Sequence, residues 1–353
     1  MKIALITDTH WGVRNDNIAF MDNSKKFLDE IFFPYIKDNG INTVVHLGDL
    51  VDRRKYININ TARRLREDFL EPLSHMCDVY MIAGNHDTYF KNTNSVNALR
   101  EIVAQAYPFK IYDTFPKEVE FDNTTVLLTP WICDDNRKQT LEKFKSTPAQ
   151  IIMGHLELAG FEMYRGSMVS HGDDRSLFDR FDLVLSGHYH HRSSDGTIHY
   201  LGAHAEFTWS DFDDPRGFHI LDTETRELTF IQNPYKMFAK VWYDDMASSS
   251  GPEDTDYSHL KDKIVKVIVT NKNNPYLFDT FINHLDSLGL IEIQIVEDHH
   301  NLNLEDDADI VNEAESTMQI FKKYIDQFDE EKIDKVKLEK TINELYQEAL
   351  TVE

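Results

Sequence analysis

Five short apolar, β-prone runs in the first 190 residues end in side chains able to ligate a metal, most of them beside a glycine. IALIT precedes Asp8 and His10, and TVVHLG precedes Asp49. VYMIAG precedes Asn85, QIIMG precedes His155, and LVLSG precedes His188 and His190. Runs of this length and composition read as buried strands. Their repetition places each polar side chain at the C-terminal lip of a strand, where distant parts of the chain can share one crevice. That pattern demands a layered α/β fold before any other feature is considered.

The intervening sequence supplies helices near 22–39, 60–74 and 94–106. In the first, Phe27, Leu28, Ile31 and Tyr35 share a face and Gly40 can close the end. After about residue 108 strand-like pieces dominate, so an α/β sandwich fits better than a barrel of evenly alternating elements. Periodicity breaks at MASSSGPEDTD (246–256). Beyond it lie a strand (264–270), a helix opened by Pro275 and closed by Gly289, and the strand IEIQIVED. The expected organisation is a main domain over 1–240, a small β-α-β cap over 257–298, an acidic linker over 299–315 and a helical pair over 316–353. The pair carries apolar stripes, with Met318, Phe321, Ile325 and Phe328 on the first helix and Leu338, Ile342, Leu345 and Ala349 on the second.

Composition limits the partners. The two cysteines, Cys77 and Cys133, are too few for a disulfide framework and read as isolated thiols in a reducing cytoplasm. No apolar run approaches the roughly 20 residues a membrane span needs. MKIALITDTH leads straight into a strand rather than a cleavable apolar segment, so no signal peptide is expected. The formal charge of −24 argues against holding nucleic acid by a basic surface. Metal-dependent phosphoryl enzymes escape that objection, because bound cations carry the local positive charge. Residues 301–353 hold 15 acidic residues against 6 lysines, which marks the tail as a separate, solvated unit.

Each motif taken singly has an ordinary structural reading: a turn for GDLVDR or GNHD, a packed imidazole for His155. Their chemistry is nevertheless consistent. Asp8 and His10 alternate along an extended segment and so point the same way, as do His188 and His190, while His191 points away. Asp49 can bridge two cations, with Asp52 and Arg53 in reach. Asn85 and His86 pair a neutral ligand with an acid–base group. Two metals sharing Asp49 would sit about 3.5–4 Å apart, the spacing that clamps attacking and leaving oxygens in phosphoryl transfer. Oxygen and nitrogen ligands without sulfur favour Mn²⁺, Fe²⁺ or Zn²⁺ over Ca²⁺.

DxH, GDxxDR, GNHD, GH and GHxH, in this order, resemble the five motifs of the calcineurin-like metallophosphoesterase superfamily. The β-α-β cap and helical tail are more narrowly similar to the SbcD-type nucleases of double-strand-break repair. GHLELAGFEMYRG, SHG, DDPRGF and DTETRE resemble the phage branch of those nucleases. The resemblance implies a four-layer α/β/β/α sandwich with a small α+β capping domain and a C-terminal helical pair. It implies one metal held by Asp8, His10, Asp49 and His190, and another held by Asp49, Asn85, His155 and His188. His86 would be the general acid, oriented by Asp52, and Arg53 would contact the substrate phosphate. The implied cofactors are two divalent ions, Mn²⁺ before Mg²⁺. The implied partners are DNA, an SMC-like ATPase gripped by 316–353, and a second copy of the chain within the complex. The compartment would be the cytoplasm, that of a bacterial host if the chain is phage-encoded. Gly202-Ala203 stands where such nucleases often carry Gly-Ser or Gly-Thr, so one hydroxyl near the site is missing. Two alternatives remain open: a Ser/Thr phosphoprotein phosphatase, whose motifs GDLVDR and GNHD approach, and a scaffold with a vestigial site.

Overall fold

The structure, a computed structural model, describes residues 1–246 and 255–297. Its strands in chain order are β1 (Lys2–Ile6), β2 (Thr43–His46), β3 (Asp78–Ile82), β4 (Lys110–Tyr112), β5 (Lys117–Phe121), β6 (Thr124–Thr129), β7 (Ile151–His155), β8 (Glu162–Tyr164), β9 (Ser167–Met168), β10 (Leu183–Gly187), β11 (Ser193–Ser194), β12 (Ile198–Tyr200), β13 (Gly217–Asp222), β14 (Leu228–Gln232), β15 (Phe238–Asp244), β16 (Ile264–Asn271) and β17 (Glu292–Glu297). One six-stranded sheet has the order β14-β13-β1-β2-β3-β4 and another the order β11-β12-β10-β7-β6-β5. Within them β1 to β4 run parallel, as do β6, β7, β10 and β12; antiparallel strands lie only towards the edges.

Parallel strands covered on both faces need apolar side chains on both, which explains the unbroken runs in the sequence. In β1, Ile3 and Leu5 face the second sheet and pack with Val126, Leu128, Met153 and Leu185. Ala4 and Ile6 point the other way, into a layer built by Phe27, Phe32, Ile36, Leu65 and Phe69. On the far side, Leu127, Ile152 and Val184 meet Phe144, Phe178 and Phe181. Successive residues of a strand point to opposite faces, so one run serves two interfaces. The result is the α/β/β/α sandwich expected from the sequence.

The helices packed on the first sheet follow the expected spans closely. Ile18–Phe27, a π turn at Leu28–Phe32 and Phe33–Asp38 run end to end, as do Ile59–Leu65, Arg66–Leu70 and Glu71–Met76. The third expected helix, 94–106, shrinks to a π turn at Leu99–Val103. Asn94 instead donates from Nδ2 to the carbonyls of Asp113 and Trp131, and Asn97 Oδ1 accepts from Arg100 N. The Asn94 bonds take the place of a first helical turn, and Asn97 caps the short turn that remains.

β15, β16 and β17 form a separate parallel sheet. Helix Pro275–Ser287 covers it with Phe278, Phe281 and Leu285 against Tyr243, Val265 and Val267. Asn274 caps that helix by accepting from Leu277 N. β15 crosses the boundary expected at residue 240, and buried Glu206 anchors its start by accepting from Met237 N and Phe238 N. The linker 299–315 and the helical pair 316–353 lie outside the described residues. Among those described, no helix is long and apolar enough to cross a membrane.

Candidate metal centre

All seven ligand candidates of the sequence meet at the C-terminal lips of the two sheets, by a route the sequence did not show. Asp8 and His10 are not part of an extended segment. Both have left-handed backbone (φ 51° and 43°), as have Asp49 (φ 53°) and His188 (φ 88°). Such conformations cost side-chain-bearing residues roughly 1–3 kcal/mol each and persist only where surroundings impose them. Here Asp8 N donates to Gly48 O and His10 N to Asp49 O, locking the first two loops together. Two glycines serve close approach. A Cβ on Gly84 would run into the Asp49 carboxylate, and one on Gly187 into the Thr7 hydroxyl and Asp8.

His10 Nε2 lies 3.0 Å from His190 Nε2, 3.9 Å from Asp8 and 3.7 Å from Asp49 Oδ2. On the other side, Asn85 Oδ1 lies 3.0 Å from His155 Nε2 and 2.9 Å from His188 Nδ1. Asp49 stands between the two groups, with Oδ2 also 3.4 Å from His155 Nε2. Its Oδ1 accepts from His86 N at 2.7 Å. Asp8, His10 and His190 form one grouping able to hold a cation, and Asp49, His155 and His188 another.

The donor set itself fits a cation. His155 Nδ1 donates to Leu47 O at 2.8 Å, so a neutral ring presents only a lone pair at Nε2. That lone pair faces two further acceptors, Asn85 Oδ1 and Asp49 Oδ2. A proton or a metal at this point reconciles three converging acceptors. Without metal the proton does so. Burial opposes charge on His155, yet the Asp49 carboxylate overrides it and lifts the imidazole to about 9. His10 likewise overcomes burial through Asp52 and Asp49 and reaches about 9. His188 stays neutral, pushed to about 3 by burial and by His155, and His190 falls well below its usual range for the same kinds of reason. Burial would raise Asp49, but His155 and His86 hold its carboxylate well below the usual range.

His86 and Asp52, expected to act as an acid–base pair, are arranged differently in detail from that expectation. His86 Nδ1 is held at 2.5 Å by the backbone carbonyl of Asp52, not by its carboxylate. The Asp52 carboxylate lies instead 3.5 Å from His10 Nδ1. Arg53 is engaged away from the centre: it donates to Asp16 Oδ2 at 2.8 Å and to Asn15, and lies over the Tyr56 ring.

Three supporting residues escaped the sequence reading. Asp87, fully buried, accepts from Gly84 N, Leu50 N and Val51 N and so ties the Asn85 loop to the Asp49 loop. GNHD contains it, but nothing in four letters distinguishes a loop brace from a turn aspartate. Arg216, 3% exposed, donates to the His190 carbonyl and to Asp211 and Asp214. Trp131 packs its ring 5.1 Å from that of His188.

Residues 1–192 match the family model described as calcineurin-like phosphoesterase. The chain is 32% identical, over 99% of both proteins, to exonuclease subunit 1 of Enterobacteria phage T4. It is 24% identical to an SbcCD nuclease subunit of Staphylococcus saprophyticus, over 65% of this chain and 67% of that one. With the DNA double-strand break repair protein Mre11 of Sulfolobus acidocaldarius it shares 27% identity, over 55% of this chain and 51% of the other.

Proposed function

The chain belongs to the calcineurin-like phosphoesterase family, and on that premise we propose that it is a metal-dependent DNA nuclease, exo- and endonucleolytic, acting as one subunit of a recombination and repair complex. The observation that carries this reading is the end-to-end match to a phage exonuclease subunit, made by a chain whose described part brings the seven ligand candidates to one centre. Each of these three relatives bears a nuclease or repair name, which favours this reading over a phosphoprotein phosphatase.

Asp8, His10, Asp49 and His190 would hold one cation and Asp49, Asn85, His155 and His188 the other. This mixed oxygen and nitrogen set suits Mn²⁺, with Mg²⁺ as the alternative. Bound there, the two ions would neutralise phosphate charge and make water acidic enough to attack at neutral pH. The chain's own contribution is orientation and proton delivery. Asp52 O fixes His86 Nδ1, leaving Nε2 as the atom that protonates the leaving 3′ oxygen. Burial lowers the His86 pKa, which makes its imidazolium a stronger acid while reducing the protonated fraction. Asp52 would act through its carbonyl on His86 and through its carboxylate on His10. For Arg53 to reach a substrate phosphate it would have to leave Asp16.

The formal charge of −24 favours a nuclease that relies on its metals and a partner to hold DNA. That partner would be an SMC-like ATPase subunit docked on 316–353, with two copies of the present chain in the complex. Purified protein with Mn²⁺ should cleave single-stranded DNA and leave a phosphopeptide intact; activity on the peptide alone would refute the nuclease reading. Deleting 316–353 should preserve Mn²⁺-dependent cleavage and remove stimulation by ATP and the ATPase. Undiminished stimulation would place the docking element elsewhere.

A further inference from the structure

Beside the metal centre lies a cleft of about 170 Å³, lined by Trp131, Ile132, Arg137, Glu157, Gly172 and Asp173. Trp131 is common to both places. Trp131 lines the cleft, and its ring packs 5.1 Å from that of His188 and 6.1 Å from that of His155. Its backbone is held rigidly: Trp131 N donates to Ala83 O at 2.8 Å, and its carbonyl accepts from Asn94 Nδ2 and Asn136 Nδ2. Glu157 follows His155 by two residues, so the chain that delivers a metal ligand also walls the cleft.

The lining selects a class of ligand. Two carboxylates, Glu157 and Asp173, stand against one guanidinium, Arg137, whose two terminal nitrogens already donate to Asp173. A net negative lining repels phosphate. A neutral, flat, polar group is what remains: it can lie on the indole and turn its edge towards the carboxylates. Glu157 also pairs with His171 Nε2 at 3.0 Å, which fixes the carboxylate in place. We propose that this cleft receives an unpaired nucleobase of the strand being cut, stacked on Trp131, while the phosphate of that strand sits at the metal centre. This rests on the nuclease reading above and adds a positioning element to it. Stacking on an aromatic side chain is tolerant of base identity, so the cleft sets where the strand lies rather than which sequence is cut.

The test compares a single-stranded oligonucleotide with the same oligonucleotide carrying one abasic residue, at each position flanking the cleavage site, using the full chain and Mn²⁺. The wild type should cut one abasic substrate roughly tenfold more slowly through KM, a size typical of a lost base stack. Trp131→Ala should cut both substrates at that reduced efficiency, with no further loss from the abasic residue, and Trp131→Phe should restore most of the difference. The base-free substrate bis(p-nitrophenyl) phosphate normalises each variant for the state of its metal centre. Equal abasic penalties in wild type and Trp131→Ala, after that normalisation, would overturn the base cleft and leave the nuclease reading intact. A wild type that hydrolyses bis(p-nitrophenyl) phosphate but no DNA would overturn both.

Discussion

The amide oxygen of Asn85 lies 3.0 Å from Nε2 of His155, a contact between two acceptors whenever the imidazole is neutral. Leu47 O holds the ring so that Nε2 cannot turn away. The pair therefore makes sense around a shared cation. Asn85→Ala should lower Mn²⁺ stoichiometry by titration calorimetry from two ions per chain towards one, with the weaker site losing at least tenfold in affinity. Retention of two ions at parental affinity would remove Asn85 from the ligand set.

His86 approaches the same centre as a separate unit, its ring 4.8 Å from that of His10. Exchange for Ala should reduce DNA cleavage by about 10² to 10⁴-fold, the range for a lost acid–base group, while two Mn²⁺ ions still bind. Cleavage at the parental rate would assign the proton donor to another group.

Asp87 is expected to matter for stability before chemistry. Asp87→Asn places an amide NH₂ against backbone N–H groups of Gly84, Leu50 or Val51, leaving a buried donor unsatisfied. Urea unfolding of the metal-free protein should show a loss of about 1–3 kcal/mol. A neutral outcome would mean that the two loops hold together without the brace.

His219 gives a pH dependence outside the metal centre. It is 3% exposed and packs 5.0 Å from Phe230; burial, then the charge of Arg192, pushes it down to about 3. The unfolded chain takes up this proton near pH 6.5, so the contribution is complete above that value and is lost as pH falls towards 3. Each such histidine steepens the decline by about 1.4 kcal/mol per pH unit across that window. His219→Phe should flatten the slope by one proton, measured by denaturant unfolding at a series of pH values. His46 and His204, also lowered to about 3, should leave a residual slope.

The layered core was legible because unbroken apolar runs leave a strand no choice but burial on both faces. IALIT and IIMGH carry that instruction in a few letters, and β1 and β7 occupy the middle of their sheets. The third helix misled because a span of 94–106 counts Asn94 and Asn97 as helical positions, whereas both are buried and held from outside the helix. Only the fold reveals that the carbonyls of Asp113 and Trp131 await Asn94, and the Asp113 carboxylate Asn97.

The site divides the same way. Residue type and order along the chain already determined which side chains are ligand candidates, since few combinations of carboxylate, amide and imidazole at strand ends have another use. Tertiary structure decided how they meet. Left-handed turns at Asp8, His10, Asp49 and His188 aim those residues, and the Asp52 backbone rather than its carboxylate orients His86. Arg53 is taken up by Asp16, 37 positions away. The physical reason is that a side chain's chemistry is local and written in its letter. Its direction and its partners are set by hydrogen bonds between loops that sequence keeps far apart.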